Sequence, residues 1–150
     1  MLRGFHRRFC LRSVHYRGTP EVPGLVLGLD RGGSCRGVAF QVAPAAAREV
    51  LDYLEARENI LGEIVYRRRL LKLGLASGRD VQGIAYVAER AHPAYCQLSE
   101  TETAQTIARA QGEAGTNRDY LINTARQLAA LGLRDAGLER LVTLVLASAG

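Results

Sequence analysis

Hydrophobic and polar residues alternate along the first third of the chain, which is the pattern of β-strands. The alternation around Phe9 predicts a strand in RRFCLRSV, and two further strands are predicted for PGLVLGLD at 23–30 and RGVAFQVA at 36–43. The glycine-rich RGGSC between these two predicts a hairpin connection. A phosphate-binding loop is the alternative for Gly32 and Gly33, but such a loop leads into a helix, and here a strand is predicted to follow.

The middle of the chain changes to the period of an amphipathic helix and then returns to strands. Pro44 opens the helix, which is predicted to end at Glu58. Its apolar stripe has members at spacings i, i+3, i+4 and i+7: Ala47, Val50, Leu51 and Leu54. The runs EIVYRRRLLKL and VQGIAYVAE then predict two strands, with GLASGRD as the turn between them.

Three consecutive arginines, Arg67–Arg69, fall in the first of these two strands. Successive side chains of a strand point to opposite faces, so Arg68 points away from the other two. We interpret the segment as a solvated edge strand, with a nucleic-acid contact as the alternative.

The last third of the chain is helical. Ser99 to Glu102, SETE, is a capping box for one helix, Asn117 can cap a second, and Asp135 starts a third. The order of strands, helix, strands and then helices predicts one α+β domain, residues 1–150, with a largely antiparallel sheet.

Glu58 is the residue that interrupts the pattern. Four residues after Leu54, the apolar stripe predicts another apolar residue, but the chain has the carboxylate of Glu58 there. Partial burial and the negative end of the helix dipole would both raise the pKa of this group, which would suit it to proton transfer. The alternative is a structural pair with a neighbouring arginine such as Arg57.

Composition narrows the classes of function. The net charge of +5 and pI near 9.5 leave anionic partners open, but only 6% of residues are aromatic and the positive charge is scattered, so nucleic-acid binding is disfavoured. Three cysteines without paired spacing favour a reducing cytoplasm. The three histidines lack ligand spacing, so neither a metal nor a cofactor is expected. The longest apolar run, LVTLVLASA, is too short for a membrane span of about 20 residues.

Four runs of the sequence carry a resemblance to the ChaC family, the glutathione-specific γ-glutamylcyclotransferases: RGFHRRFCLRSVHYRGTPEVPGLVLGLDRGGSCRGVAF, LDYLEARE, YVAERAHPAYCQLSE and NRDYLINTARQLAALGLRDAGLERL. The resemblance implies a small antiparallel β-barrel-like sheet flanked by helices. It implies cleavage of glutathione to 5-oxoproline and cysteinylglycine, without a cofactor. The family's acid/base is a glutamate in an Arg-Glu pair, which here is Glu58 after Arg57.

Two more residues in the matching runs are candidates for substrate binding. Arg17 in HYRGTPE could neutralise a substrate carboxylate, and Tyr120 in NRDYL could donate a hydrogen bond to it. The alternatives are a surface salt bridge for Arg17 and a half-buried core position for Tyr120.

The chain departs from the family at its beginning. The family starts with a strand leading into a Tyr-Gly-Ser-Leu loop that holds the γ-glutamyl group, and this chain has no such motif. The resemblance therefore implies a first strand missing from the sheet, an open edge prone to self-association, and an exposed patch at Phe9 and Leu11. It also implies weak activity unless upstream residues are restored. A catalytically dead relative, acting as a binding module or a gene remnant, is the alternative to an enzyme.

Overall fold

A computed structural model describes residues 1–59 and 64–148 of the chain. The regular elements are, in order, β1 Leu2–Ser13, β2 Gly24–Cys35, a 3-10 turn Pro44–Ala46, α1 Ala47–Glu58, β3 Tyr66–Gly74, β4 Asp80–Ala88, α2 Glu100–Arg109, β5 Gln111–Gly112, β6 Gly115–Thr116, α3 Asn117–Ala130 and α4 Ala136–Ala147. The class is α+β, as predicted. Residue contacts divide the chain into two compact units: Met1–Arg8 with Gly28–Pro93, and Phe9–Leu27 with the chain from Ala94 onward.

The first unit is built around an antiparallel hairpin of β3 and β4. Their register pairs Arg68 with Tyr86 and Leu70 with Ile84, so these four side chains share one face. The four long strands form one sheet in the order β2-β1-β3-β4, and Leu2 of β1 pairs with Leu73 of β3. Because β3 has a partner on each side, the prediction that it is an edge strand was wrong.

The second unit holds the main hydrophobic core. Its largest fully buried side chains are Phe9, Leu11, Leu25, Ile107, Leu121 and Val145. The last helix, α4, supplies part of this core, since its Leu138, Leu141 and Val145 are all buried. The expectation of an exposed patch at Phe9 and Leu11 was wrong, because Phe9 packs in the core cluster and Leu11 is 0% exposed.

Side-chain caps begin the three helices of the second unit. Ser99 and Glu102 form the predicted capping box of α2, and Asp135 caps α4 as predicted. The cap of α3 is Thr116, so the prediction that Asn117 caps this helix was wrong. The Asn117 amide instead accepts a hydrogen bond from the Leu25 amide at 2.6 Å and donates one to the Leu25 carbonyl at 2.7 Å. A buried side chain thus satisfies both backbone groups of a strand residue.

The predicted strand at 36–43 and the hairpin before it were also wrong. Strand β2 continues through RGGSC to Cys35, and residues 36–43 form no regular element. Gly32 and Gly33 have positive φ values of 104° and 64°, so they bend β2 where an alanine would be strained. The apolar residues of 36–43 follow the period of a strand, but they find no cover: Val38, Phe40 and Val42 are all exposed.

No helix within residues 1–59 and 64–148 combines the length and the apolar character needed to cross a membrane.

Candidate active site

Helix α1 ends at Glu58, as the pattern predicted, and Glu58 lies on its stripe. The half-buried positions of the helix include Ala47, Val50, Leu51 and Leu54, and then Glu55 and Glu58. No residue of α1 is fully buried, so the stripe is a half-covered face and the phase predicted for it is confirmed. The end of that face carries two carboxylates one turn apart.

Glu58 sits in a partly desolvated position. Its side chain is 26% exposed, and one carboxylate oxygen lies 3.7 Å from Nε of Arg57. Burial raises the pKa of Glu58, and the Arg57 guanidinium partly offsets this by favouring the charged form. The pairing with Arg57 that sequence alone left open is therefore present, and it coexists with a raised pKa. A shift in this direction brings the pKa of a carboxyl group closer to neutral pH, which favours general acid–base chemistry.

Glu55, one turn earlier, is held by two hydrogen-bond donors and an ion pair. Its Oε1 lies 3.2 Å from Nε of Arg68 and accepts a hydrogen bond from the Tyr86 hydroxyl at 3.3 Å. Its Oε2 accepts from Nδ2 of Asn59 at 3.0 Å. We call Glu55, Asn59, Arg68 and Tyr86 the Glu55 cluster. It joins the last turn of α1 to the β3–β4 hairpin, because Arg68 and Tyr86 are cross-strand partners.

Arg17 and Tyr120, both in the second unit, contact each other. The Arg17 guanidinium lies 5.0 Å from the centre of the Tyr120 ring and donates a hydrogen bond to the Ala114 carbonyl. The Tyr120 ring meets Phe9 edge to face at 5.7 Å, and its hydroxyl accepts from the Leu27 amide at 3.4 Å. Both residues therefore have structural contacts, which does not test the substrate-binding role predicted for them.

The loop that carries Arg17 is tightly built. A Cβ placed on Gly24 would lie 2.0 Å from the Arg17 carbonyl oxygen, so only glycine fits at that position. The Arg17 amide also donates to the Ser13 hydroxyl at 3.1 Å. Gly18 of this loop and Gly112 both line a surface cavity of about 470 Å³. These contacts fix the Arg17 backbone beside a cavity within the second unit.

The sequence identified Glu58 but missed the Glu55 cluster. The spacing of Glu55 and Asn59, four residues apart, could have indicated one of its contacts. The other two depend on the register that places Arg68 beside Tyr86, and the hydrophobic pattern does not determine it. Among the residues that the structure describes, no group of three or more His, Cys, Asp or Glu is placed to hold a metal ion.

The fold is that of the γ-glutamylcyclotransferases. Two crystal structures of a yeast γ-glutamylcyclotransferase specific to glutathione superpose on it, the selenomethionine form with a TM-score of 0.77 over 97% of this chain and 85% of that one. The unlabelled form gives a TM-score of 0.75 over 99% and 88%. Sequence identities are 22% and 21%, so these likenesses concern the fold.

The chain belongs to the ChaC family. The family model described as ChaC-like protein matches residues 1–148. The glutathione-specific γ-glutamylcyclotransferase of Escherichia coli K12 is 37% identical over 143 residues, which is 95% of this chain and 61% of that protein. The mouse glutathione-specific γ-glutamylcyclotransferase 1 is 33% identical over 96% of this chain and 67% of its own length. The chain thus spans about three fifths to two thirds of these relatives.

Proposed function

We propose that the chain is a glutathione-specific γ-glutamylcyclotransferase in which Glu58 is the acid/base. The observation that carries the proposal is a half-buried glutamate with a raised pKa at the end of α1, in a chain of the ChaC family. The names of its bacterial and mouse relatives support glutathione as the substrate.

The reaction needs one proton carrier because the substrate contains its own nucleophile. The α-amine of the γ-glutamyl group attacks the γ-carbonyl carbon, a C–N bond closes the five-membered lactam, and the amide bond to cysteine breaks. Products are 5-oxoproline and cysteinylglycine, with no water consumed. Because the attack is intramolecular, holding the substrate in a folded conformation supplies much of the acceleration.

Glu58 would perform both proton transfers. As a carboxylate it takes a proton from the α-ammonium group, which makes the nitrogen nucleophilic. As a carboxylic acid it returns a proton to the leaving nitrogen of cysteinylglycine. A pKa raised by burial brings the two protonation states closer in population at neutral pH than they would be for an exposed glutamate. This cycle requires no metal or cofactor.

Arg17 and Tyr120 are further candidates, proposed to bind a substrate carboxylate. Their mutual contact and the nearby cavity in the second unit support a binding surface there. A guanidinium carries five N–H donors, so its bond to the Ala114 carbonyl leaves capacity for a carboxylate.

The test is release of 5-oxoproline from glutathione, measured by mass spectrometry for the unmodified chain and for Glu58→Gln. We expect Glu58→Gln to lower kcat by about 10²- to 10⁴-fold, the usual contribution of general acid–base catalysis, while keeping the fold. Glu49→Gln is the matched control, because Glu49 lies exposed in the first turn of the same helix. An unmodified chain that releases no 5-oxoproline contradicts the activity, and an active Glu58→Gln variant contradicts the role of Glu58.

We further propose a cytoplasmic location and self-association through an open sheet edge. The odd number of cysteines supports the first. The second rests on β4, the last strand in the sheet order, where Ile84 is 44% exposed. Light scattering on the same preparation tests it, and a concentration-independent monomer mass contradicts it.

A further inference from the structure

The Glu55 cluster lies outside the chemistry assigned to Glu58, yet it is built around the turn that carries Glu58. Three side chains converge on one carboxylate: Arg68 of the β3–β4 hairpin by an ion pair, Tyr86 of the same hairpin by a hydrogen bond, and Asn59, which follows the helix, by a second hydrogen bond. The Glu55 side chain is 38% exposed and that of Arg68 is 46% exposed. For exposed groups, an ion pair contributes little to stability, so stability alone does not account for this convergence.

Asn59 extends the cluster in two directions. Its backbone amide donates to the Glu55 carbonyl at 3.1 Å, which closes the last turn of α1. Its side chain donates to the Glu55 carboxylate and accepts from the Tyr66 amide at 3.4 Å, at the start of β3. Asn59, which follows Glu58, therefore contacts both the last turn of α1 and the start of β3. Glu55, three positions before Glu58, contacts the β3–β4 hairpin.

Helix α1 has few other means of fixing this turn. None of its residues is fully buried, and its N-terminal end has no side-chain cap. Helix ends without such contacts fray, and a frayed last turn would carry the Glu58 carboxyl with it. The last turn of α1 is not fixed by buried apolar side chains, so the polar contacts of Glu55 and Asn59 hold it in place.

We propose that Glu55 is a positioning residue for the acid/base Glu58. Held by Arg68, Tyr86 and Asn59, it locks the last turn of α1 on the hairpin and keeps the Glu58 carboxyl in its half-buried place. The effect of Glu55 on catalysis rests on the proposed function. Its effect on the position of Glu58 rests on the geometry alone.

The charged groups near Glu58 determine which variants change the position of its carboxyl group without changing the charge around it. On α1 the Arg57 charge acts on Glu58, and the Glu58 charge in turn acts on Tyr86 of β4. Glu55 of α1 and Arg68 of β3 also act on Tyr86. The pKa of Tyr86 is raised, first by burial and then by the charge and hydrogen bond of Glu55, with a further contribution from Glu58. Tyr86 is therefore a protonated donor at neutral pH, and replacing it by phenylalanine removes one hydrogen bond without changing charge. Glu55→Gln also removes a negative charge, which by itself lowers the pKa of Glu58.

The test compares Tyr86→Phe and Glu55→Gln with two matched controls on the exposed part of α1, Tyr53→Phe and Asp52→Asn. Tyr53 is 60% exposed, and Asp52 forms an exposed i,i+4 pair with Arg48. For each variant, kcat and KM for glutathione are measured. The Glu58 carboxyl is titrated by ¹³C NMR, with its signal assigned from Glu58→Gln.

We expect kcat to fall by about tenfold in Tyr86→Phe and Glu55→Gln with little change in KM, since small displacements of a reacting group cost one to two orders of magnitude. In Tyr86→Phe, the Glu58 midpoint should move down toward that of an exposed glutamate, because a loosened turn admits water. Both controls should match the unmodified chain.

Three results would overturn the proposal. The first is a kcat and a Glu58 midpoint in Tyr86→Phe equal to those of Tyr53→Phe, and the second is a rise in KM with kcat retained. A melting temperature that falls while the Glu58 midpoint stays fixed would also overturn it, since the cluster would then act on stability alone. If the unmodified chain is inactive, the proposed function fails, and the titration of Tyr86→Phe still decides whether the cluster positions Glu58.

Discussion

The two units of this molecule are stabilised in different ways. In the second unit, α2, α3 and α4 pack on Phe9 and Leu25, and nearly all buried hydrophobic residues of the described chain lie there. In the first unit, the buried hydrophobic residues are Leu2, Val87 and Ala88, and helix α1 and strand β3 have none. The first unit has instead two groups of polar contacts, the ion pairs of Asp30 and the hydrogen bonds and ion pair of the Glu55 cluster.

Under the proposed function, the apolar core that stabilises the fold and the carboxylate that transfers protons lie in different units. A carboxylate with a raised pKa needs a half-covered surface, where it is partly desolvated but within reach of a substrate. Glu58 has such a surface on α1, whereas the core of the second unit would bury it completely. Polar contacts then fix geometry in the first unit, and apolar packing supplies free energy of folding in the second.

The comparison predicts unequal costs for leucine truncation. Leu121 in α3 is 0% exposed and belongs to the core cluster, so Leu121→Ala should lower the free energy of unfolding by about 2–5 kcal/mol. Leu54 in α1 is only half-buried, and Leu54→Ala should cost about 1 kcal/mol or less. Urea denaturation of both variants measures the two values. Equal losses would show that α1 contributes to stability as much as the core does.

A second prediction concerns the polar contacts of the first unit. Asp30 is 0% exposed, and its carboxylate contacts Arg90 at 2.8 Å and Arg8 at 3.7 Å. Arg90→Met leaves that buried charge with its more distant arginine. The loss should fall at or below the lower end of the roughly 3–5 kcal/mol seen for broken buried pairs, because Arg90 itself is 40% exposed.

The control for Arg90→Met is Arg134→Met in the second unit. Arg134 pairs with Glu139 at 2.6 Å, but its side chain is 81% exposed, so its removal should have little effect on the free energy of unfolding. The same urea denaturation reports both variants. A loss for Arg90→Met no larger than that for Arg134→Met would mean that the Asp30 contacts contribute little to folding.

The two units also differed in how far sequence could predict them. Capping residues predicted the starts of α2 and α4 well, because the Ser99–Glu102 capping box and the Asp135 cap are both present. In the first unit the strand period misled at 36–43, since an alternating segment becomes a strand only if a neighbouring chain pairs with it. Phe40 follows the period and is 86% exposed. Local patterns carry no information about that pairing.

The candidate site was predictable where a pattern was broken. Glu58 stood out because a charge fell on an apolar stripe, and the family resemblance gave that position a role. The Glu55 cluster could not be found in this way, since Arg68 and Tyr86 are 18 positions apart and meet only through the β3–β4 register. Arg17 and Tyr120 were identified from matching runs, and their contact at 5.0 Å shows that they meet without testing their predicted role.

The smallest predicted effect is a change in melting temperature when Glu58 itself is replaced. Burial raises the folded-state pKa of Glu58 above its ordinary value of 4.5, so the protonated form is favoured by folding. The stabilising contribution is complete below the unfolded pKa and is lost as pH rises through the folded pKa. At pH 7 the ionised group therefore makes the chain less stable than a neutral residue of the same shape would. Glu58→Gln should show a slightly higher melting temperature at pH 7, reduced by the loss of the Arg57 contact.

That advantage should shrink as pH falls through the raised pKa and approach zero below the ordinary pKa of 4.5, where the unmodified Glu58 becomes neutral in both states. Melting temperatures of the two proteins between pH 4 and pH 8 measure the difference, with Glu49→Gln as the exposed control on the same helix. A difference that stays constant with pH, or that grows on acidification, would contradict burial as the cause of the raised pKa. A stability gain confined to neutral pH, with loss of turnover, would show that the first unit retains a desolvated carboxylate for catalysis at a small cost in stability.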